Sequence, residues 1–254
     1  MKLIDISRMA EKFIQESPLN KVKDVGIEKI WDPPLVGIAS ADDPLFERLK
    51  DPAVIGEHHL SPREWLPEAR SVISYFLPFS AAIRESNYTG GWPSLDWVYG
   101  RIEGQECNKA LSLYLAEQIA GIGGKAVVPS SDKRFTIINR RSNWSERHAA
   151  YISGLGTFGL GKSLITSKGC AGRYSSIITD LELEATTRIY EDIYQYCNMC
   201  LECVDRCPAS AIQEEGKDLS VCAHYIDTHI RPKFAPRYGC GKCQTAVPCE
   251  NAIP

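Results

Sequence analysis

The segment Cys197-Asn-Met-Cys200-Leu-Glu-Cys203-Val-Asp-Arg-Cys207-Pro208 decides how the C-terminal part of this 254-residue chain folds. Its cysteines follow the spacing C-x2-C-x2-C-x3-C with proline next, which is typical of loops that bind four-iron clusters. Three thiolates wrap one cube of iron and sulfide, and the fourth begins a short helix that carries it to a second cube. A zinc site usually has two separated cysteine pairs, so the spacing favours iron–sulfur chemistry.

A second cluster needs further ligands downstream. The remaining cysteines bring the total to the eight that two cubes require, and they are Cys222, Cys240, Cys243 and Cys249. Our assignment gives cluster one the ligands Cys197, Cys200, Cys203 and Cys249. Cluster two then takes Cys207, Cys222, Cys240 and Cys243. The loop from Cys240 to Cys249 is not a simple repeat of the first loop, and the sequence leaves open which downstream cysteine completes which cluster.

The cysteines divide the chain into two unequal parts. Only Cys107 and Cys170 precede residue 197, and we interpret both as small buried side chains rather than ligands. The change in composition predicts a larger domain over residues 1–190 and a small two-cluster domain over residues 191–254. Disulfides are rare in the cytoplasm, where metal binding is the better explanation for clustered cysteines.

Composition narrows the environment and the partners. The chain is 44% hydrophobic and 24% charged, which is typical of a globular protein. No apolar run is long enough to predict a membrane-spanning helix, and residues 1–18 lack the features of a signal peptide, so we expect a cytoplasmic protein with no membrane partner. The net charge of −3 and the pI of about 6.0 leave no positive excess for a phosphate backbone, so nucleic acid is not an expected partner.

The first part alternates predicted helices and strands. Apolar residues at helical spacing predict helices over residues 5–15 and 108–122, and Ser61 with Glu64 predicts a capped helix start. Short β-rich runs predict strands at residues 35–39, 71–77, 125–128 and 174–181. We therefore expect an α+β fold in which helices cover a sheet.

A glycine-rich segment, Gly154-Leu-Gly156-Thr157-Phe-Gly159-Leu-Gly-Lys162-Ser163, matches both common phosphate-binding patterns. Each pattern needs a strand before it and a helix after it. Here residues 146–153 are predicted to be helical and residues 164–166 to be extended, which is the reverse order. The sequence therefore argues against ATP or NAD at this segment, although its glycines still let the backbone approach a bulky ligand closely.

Residues 145–166 read Ser-Glu-Arg-His-Ala-Ala-Tyr-Ile-Ser-Gly-Leu-Gly-Thr-Phe-Gly-Leu-Gly-Lys-Ser-Leu-Ile-Thr. Together with the cysteine motif, they resemble the epoxyqueuosine reductase family, and the likeness runs from about residue 35 to residue 249. That family is cobalamin-dependent, carries two four-iron clusters and is distantly related to reductive dehalogenases. The resemblance implies a nitroreductase-like α/β domain followed by a small two-cluster ferredoxin-like domain.

The resemblance also implies a function. It is that of an iron–sulfur oxidoreductase that passes electrons through two 4Fe-4S clusters to a cobalamin, which reduces a small-molecule substrate. A low-potential ferredoxin or flavodoxin would supply the electrons. The cobalamin would lie in a cleft lined by Tyr99, Arg101, Arg147, Gly154, Gly156, Thr157, Gly159, Lys162 and Ser163. The resemblance assigns no catalytic residue in this chain.

Two departures from the family bear on the reaction. The family has an acidic proton donor six residues before the position of Glu146, and here that position is Arg140, with no acid between Arg134 and Ser145. The family usually continues into a helical-repeat region that helps to grip transfer RNA, whereas this sequence ends at Pro254. We therefore expect a substrate other than transfer RNA.

Other functions are compatible with the same motif. A two-cluster ferredoxin-type electron carrier, or a reductive activator of a partner corrinoid protein, fits the missing acid at position 140. A flavin reductase is a weaker alternative, because a nitroreductase-like fold can hold flavin. Several charged side chains also have a purely structural interpretation, as solvated or satisfied groups, namely Arg140, Arg141, Arg147, His148, Lys162 and His229.

Overall fold

The computed structural model describes residues 1–254 and contains both helices and strands. The α-helices are α1 (Leu3–Glu16), α2 (Pro44–Arg48), α3 (Pro62–Trp65), α4 (Ala81–Ser86), α5 (Leu95–Gly121), α6 (Glu146–Ile152), α7 (Glu202–Asp205), α8 (Leu219–Tyr225) and α9 (Arg231–Phe234). The strands are β1 (Leu35–Ser40), β2 (Ser71–Pro78), β3 (Ala126–Val127), β4 (Ile137–Ile138), β5 (Arg141–Ser142), β6 (Gly156–Phe158), β7 (Leu164–Thr166), β8 (Gly172–Thr179), β9 (Ile212–Gln213) and β10 (Gly216–Lys217). None of the helices combines the length and hydrophobicity needed to cross a lipid bilayer.

The central sheet is antiparallel, with the strand order β1-β2-β8-β3. All residues of β2 are buried, which suits a strand that is covered on both faces and reads as a nearly continuous apolar run. The register places Ile73 of β2 between Ile38 of β1 and Ile177 of β8. The strands predicted from sequence are all present within about two residues of their expected ends.

Helices cover both faces of this sheet, as predicted. Because side chains alternate along a strand, Ile73 and Ile177 pack with α1 and α5, whereas Val72 and Ile178 belong to the opposite layer. That second layer is built from α2, α3 and α6 around a group of aromatic side chains. Its largest members are Phe46, Trp65 and Trp144.

Helix α5 begins well before the predicted position 108. The Ser94 hydroxyl accepts a hydrogen bond from the Trp97 backbone N–H and caps its first turn. Gly104 disfavours a helix when the sequence is considered alone. In the structure it lets the Trp31 ring pack against the backbone of α5, because a Cβ at position 104 would lie 2.6 Å from that ring. The Trp31 indole N–H also donates to the Gly104 carbonyl at 3.1 Å. This packing outweighs the low helix propensity of glycine.

The order predicted around the glycine-rich segment is confirmed. Helix α6 precedes it, and β6 and β7 pair within and after it, so no helix follows where a phosphate loop requires one. A Cβ at Gly156 would lie 1.9 Å from the Ile165 carbonyl oxygen, which shows that this glycine serves the close pairing of the two strands.

The cysteine-rich residues 191–254 contain only short elements and fold back onto the first part of the chain. Arg84 of α4 forms a buried ion pair with Glu250. The Asn87 side-chain amide donates to the Cys240 carbonyl at 3.1 Å, and Lys242 Nζ donates to the Asn87 carbonyl at 2.9 Å. The loop that carries the last cysteines is therefore anchored near α4. The domain boundary near residue 190 stays a prediction.

Candidate functional site

The eight clustered cysteines line two neighbouring cavities. The first cysteine cavity is lined by Cys197, Cys200, Cys203 and Cys249, together with Cys170 and Cys243. The lining of the large cavity includes Cys207, Cys222, Cys240 and Cys243. This grouping is compatible with the ligand assignment made from the sequence, which itself stays a prediction.

The cysteines do not form a site for a single ion. No group of three or more His, Cys, Asp or Glu side chains lies close enough to hold one metal ion. Around a four-iron cube each thiolate binds a different iron, so the ligands are spread more widely than around one zinc ion.

Left-handed backbone residues shape both cysteine loops. Met199 and Leu201, between the first three cysteines, have φ angles of 53° and 64°, and Gly241, directly after Cys240, has a φ of 68°. Residues of this kind turn the chain sharply and persist only where the surroundings impose them. A Cβ at Gly241 would lie 2.0 Å from the Trp97 ring, so the second loop lies directly against α5.

The sulfur atoms have distinctive neighbours. Lys217 Nζ lies 3.6 Å from Cys243 Sγ, and Cys170 Sγ lies 3.8 Å from Cys249 Sγ. Burial raises the pKa of the Cys240 thiol to about 11, so a metal that binds there must displace a proton.

The glycine-rich segment lies between the two groups of cysteines. A Cβ at Gly161 would be 3.8 Å from Cys243 Cβ and 3.9 Å from Cys203 Sγ. Only glycine leaves this backbone free of a side chain on the side that faces both groups.

The large cavity has a volume of about 600 Å³ and is bordered by residues of α5, α6 and β8. This size is typical of cofactor and small-ligand sites. Its cationic lining residues are Arg101, Arg147, Arg173, Lys217 and Lys242, and its single carboxyl is Glu146. The cavity lining is therefore strongly cationic and also includes four thiols.

Glu146 is held at the start of α6 by a short chain of hydrogen bonds. The Trp144 indole N–H donates to Ser176 Oγ at 2.8 Å, and the Ser176 hydroxyl donates to Glu146 Oε2 at 2.6 Å. Glu146 Oε1 is buried without a partner. Burial raises the pKa of Glu146 to about 7, against the opposing effect of the hydrogen bonds. This carboxyl can therefore carry a proton near neutral pH.

The arginines of the large cavity differ in their contacts. Arg147 donates to the Lys162 carbonyl, and the Arg101 guanidinium lies over the Tyr238 ring at 4.1 Å from its centroid. Arg173 forms no ion pair, and its buried Nε has no hydrogen-bond partner. Burial and the neighbouring Arg101 lower the pKa of Arg173 to about 9.

The structure brings only some of the predicted cobalamin contacts together. Arg101, Arg147 and Ser163 line the large cavity. Gly159 and Ser163 line the first cysteine cavity, and Lys162 lines a separate surface groove.

The remaining predicted contacts lie outside both cavities. Tyr99 packs beneath the Arg237 guanidinium, 3.7 Å from the ring centroid. Thr157 is buried and accepts a hydrogen bond from the Tyr196 backbone N–H at 2.8 Å. Gly154 packs against Thr186, and Gly156 against β7. We do not carry these four residues into the proposed site.

Arg140, the position at which the resemblance implies an acid, lies at the tip of the β4–β5 hairpin. Its φ is 65°, and its guanidinium lies 4.0 Å from an Asp227 carboxylate oxygen. The hairpin tip therefore carries a cation beside the cysteine-rich part of the chain.

His148 and His229 both have structural partners. His148 Nδ1 lies 2.7 Å from the Ser145 hydroxyl, and burial lowers the pKa of His148 to about 3. The His229 ring stacks on Tyr225 at 4.9 Å. Both positions are compatible with the structural interpretation made from the sequence.

The two early cysteines differ in their surroundings. Cys107 lies in the core between the sheet and α5, which is compatible with a packing role. Cys170 is also buried, but it adjoins Cys249, so packing alone does not describe its place. This contact was not predicted from the sequence, and neither were the positions of Arg173 and Lys217 in the large cavity. In the sequence, Arg173 is distinguished only as a charged residue next to a predicted strand of apolar and small residues.

Several known proteins are similar to this chain, although no protein-family model matches it. It is 27% identical to an epoxyqueuosine reductase of Cellulophaga algicola, over 76% of this chain and 62% of that protein. It is 39% identical to a tetrachloroethene reductive dehalogenase of Desulfitobacterium hafniense, over 41% of this chain and 20% of that protein. The chain thus spans less than two thirds of the length of these curated relatives.

Solved structures share the fold. An epoxyqueuosine reductase of Streptococcus thermophilus has a TM-score of 0.55 at 20% identity, over 97% of this chain and 65% of that one. A catabolic reductive dehalogenase in complex with 3-bromo-4-hydroxybenzoic acid has a TM-score of 0.60 at 14% identity, over 99% of this chain and 37% of that one. Another epoxyqueuosine reductase, with a TM-score of 0.52 at 19% identity, over 96% of this chain and 66% of that one, was solved with a modified tRNA-Tyr stem loop. RNA is thus found with one structural neighbour, although the sequence did not lead us to expect nucleic acid for this chain.

Proposed function

We propose that this chain, which is related to the epoxyqueuosine reductases and more distantly to the reductive dehalogenases, is an iron–sulfur oxidoreductase with a corrinoid in its large cavity. A low-potential ferredoxin or flavodoxin supplies electrons, and the final acceptor is a small-molecule substrate. The observation that carries the proposal is the composition of the site: one cavity is lined by four cysteines together with cationic and aromatic side chains.

The cysteines hold two clusters in this proposal. The first cysteine cavity receives cluster one. The part of the large cavity lined by Cys207, Cys222, Cys240 and Cys243 receives cluster two. Cys203 and Cys207 belong to different clusters but are joined by the single turn of α7, and Gly161 adjoins both groups. This short connection supports electron transfer from one cluster to the other.

The other lining residues fit a bound corrinoid. When bound, a cobalamin supplies a cobalt that takes up single electrons and reduces an electrophilic carbon. The aromatic side chains of Phe79, Trp97 and Trp144 form apolar wall and limit water, while the arginines offer donors to polar groups on the ligand. Glu146, with its unpartnered Oε1, is the carboxyl that can hold a proton beside the substrate.

The chain divides by function in this proposal. Residues 1–190 form the nitroreductase-like part that binds the corrinoid and substrate. Residues 191–254 form the ferredoxin-like part that holds both clusters. The resemblance and the shared fold support this division.

Iron content after anaerobic reconstitution tests the clusters. We expect about eight irons and eight labile sulfides per chain, with the EPR signals of two interacting cubes after reduction. Cys222→Ser, which removes a ligand of cluster two alone, is expected to lower the iron content to about half. Cys107→Ala is the matched control, because this cysteine lies in the core away from both cavities. Tightly bound zinc, or equal iron loss in both variants, would contradict the assignment.

Corrinoid binding tests the rest of the proposal. Hydroxocobalamin is expected to bind the cluster-loaded chain at micromolar concentration, with a change in its visible absorbance. A second candidate is an electron carrier or a reductive activator of another corrinoid protein, which the cation at Arg140 in place of the family's acid favours. Full cluster loading without any corrinoid binding would select that second function.

A further inference from the structure

We propose that Arg173, flanked by Arg101 and Arg147, forms a binding site in the large cavity for an anionic oxygen-bearing group, of the phosphate or carboxylate class. This inference deepens the proposed function, because it states the chemistry of a group that enters the same cavity.

Arg173 is a half-buried cation whose Nε is fully buried and has no hydrogen-bond partner. Its Nε is shielded from solvent and bonds to no protein group, and no carboxylate pairs with its guanidinium. An unpaired buried charge and an unmade hydrogen bond both destabilise a folded protein. The lowered pKa of Arg173 reflects the same unbalanced burial. A side chain of this kind is tolerated where a ligand completes its contacts.

The other cations of the large cavity already have partners. Lys242 donates to the Asn87 carbonyl, Lys217 lies beside Cys243 Sγ, and Arg147 donates to the Lys162 carbonyl. Arg101 lies over the Tyr238 ring. Only Arg173 has no such contact.

No carboxylate of the protein pairs with Arg173. The groups close enough to affect its pKa are Arg101 and Arg147, which add to the positive potential, and the Tyr238 phenol. The single carboxyl of the large cavity, Glu146, is engaged with Ser176, and burial raises its pKa to about 7, so it is only partly ionised at neutral pH. A cavity with this excess of positive charge attracts an anion and holds it strongly where water is limited.

The guanidinium geometry indicates the class of anion. Arginine presents parallel N–H donors that match two oxygens of one phosphate or carboxylate. Two sources can supply such a group in the large cavity: the nucleotide phosphate of a complete corrinoid, or an acidic group on the substrate.

Selenate is a suitable probe, because it is a tetrahedral oxyanion whose selenium can be located by anomalous scattering. Crystals of the cluster-loaded chain, soaked in selenate without corrinoid, are expected to show selenium beside the Arg173 guanidinium. The same soak of Arg173→Gln is expected to show none there. Absence of selenium from the large cavity of the unsubstituted chain overturns the proposal. Persistence of selenium in Arg173→Gln also overturns it, because the site then holds an adventitious ion only. This arm contains no corrinoid, so its outcome is separate from the fate of the proposed function.

A second measurement identifies the source of the anion. Cobalamin and cobinamide, which lacks the nucleotide phosphate, are titrated into the chain and into Arg173→Gln. If the site takes the corrinoid phosphate, the variant loses roughly tenfold to a hundredfold in cobalamin affinity and nothing in cobinamide affinity. If the site takes a substrate acid, both affinities stay unchanged, and selenate still binds with the corrinoid in place.

Two control variants accompany the comparison of the unsubstituted chain with Arg173→Gln. Arg70→Gln removes an exposed arginine whose only charged partner is Glu182, and it is expected to leave selenate and corrinoid binding unchanged. Arg173→Lys keeps the charge but not the paired donors, and it is expected to retain selenate at reduced occupancy. Full iron content in each variant shows that it has folded.

Discussion

Gly241→Ala is expected to remove cluster two while leaving cluster one in place. Gly241 follows Cys240 with a φ of 68°, and a Cβ there would lie 2.0 Å from the Trp97 ring. A left-handed backbone costs alanine about 1–2 kcal/mol. The clash forces Trp97 or the loop to move, which adds about 1–3 kcal/mol, as overpacking does in other cores. The displaced loop carries Cys240 and Cys243, two of the four ligands assigned to cluster two.

Gly26 provides a matched control for this substitution. Its φ is 74°, but nothing lies within 4 Å of a Cβ built there, so Gly26→Ala has the backbone cost without the clash. After anaerobic reconstitution we expect about eight irons in Gly26→Ala and about four in Gly241→Ala. Combining Gly241→Ala with Trp97→Leu is expected to restore part of the lost iron. Full iron content in Gly241→Ala, or equal losses in the two alanine variants, would refute the reasoning.

Three further predictions follow from single contacts. The pKa of Glu146 is raised in the folded state from 4.5 to about 7, so the folded state holds this proton more tightly than the unfolded state does. The resulting contribution to the free energy of unfolding is fully present at low pH and is lost as the pH rises from 4.5 to about 7. Glu146→Gln is therefore expected to gain about 2–3 kcal/mol over the unsubstituted chain between about pH 5 and pH 8, measured by urea unfolding, and a pH-independent difference would contradict this. Lys217→Gln removes the cation beside Cys243 Sγ and is expected to make cluster two alone harder to reduce, as followed by EPR during redox titration. Cys170→Ala is expected to keep about eight irons, and a fall to about four would identify Cys170 as a ligand.

The local features of this protein could be predicted from its sequence. The Ser61 capping box is present as expected. The cluster loop, which the spacing around Cys197 predicts, stays a prediction. The order of elements expected around residues 154–163 argues against a phosphate loop, and the structure has that order. These signals are short-range, because each depends on residues within one turn or one loop.

The features that sequence reasoning missed depend on contacts between distant residues. The start of α5 was misplaced because Gly104 lowers helix propensity locally, while the Trp31 ring that fills its space lies about seventy residues away. Arg173 stands out only when α5, α6 and β8 come together and leave it without a partner. No periodicity or spacing in a single sequence predicts such contacts between distant residues.

In the function proposed above, the anchoring of the last cysteine loop affects how fast the clusters exchange electrons. The Arg84–Glu250 ion pair and the bonds that join Asn87 to Cys240 and Lys242 fasten this loop to the α/β scaffold at several points. When a redox centre is held by a rigid loop, the surrounding atoms move little as each electron is added. The reorganisation energy is then small, and an electron can hop across the loop with a low activation barrier.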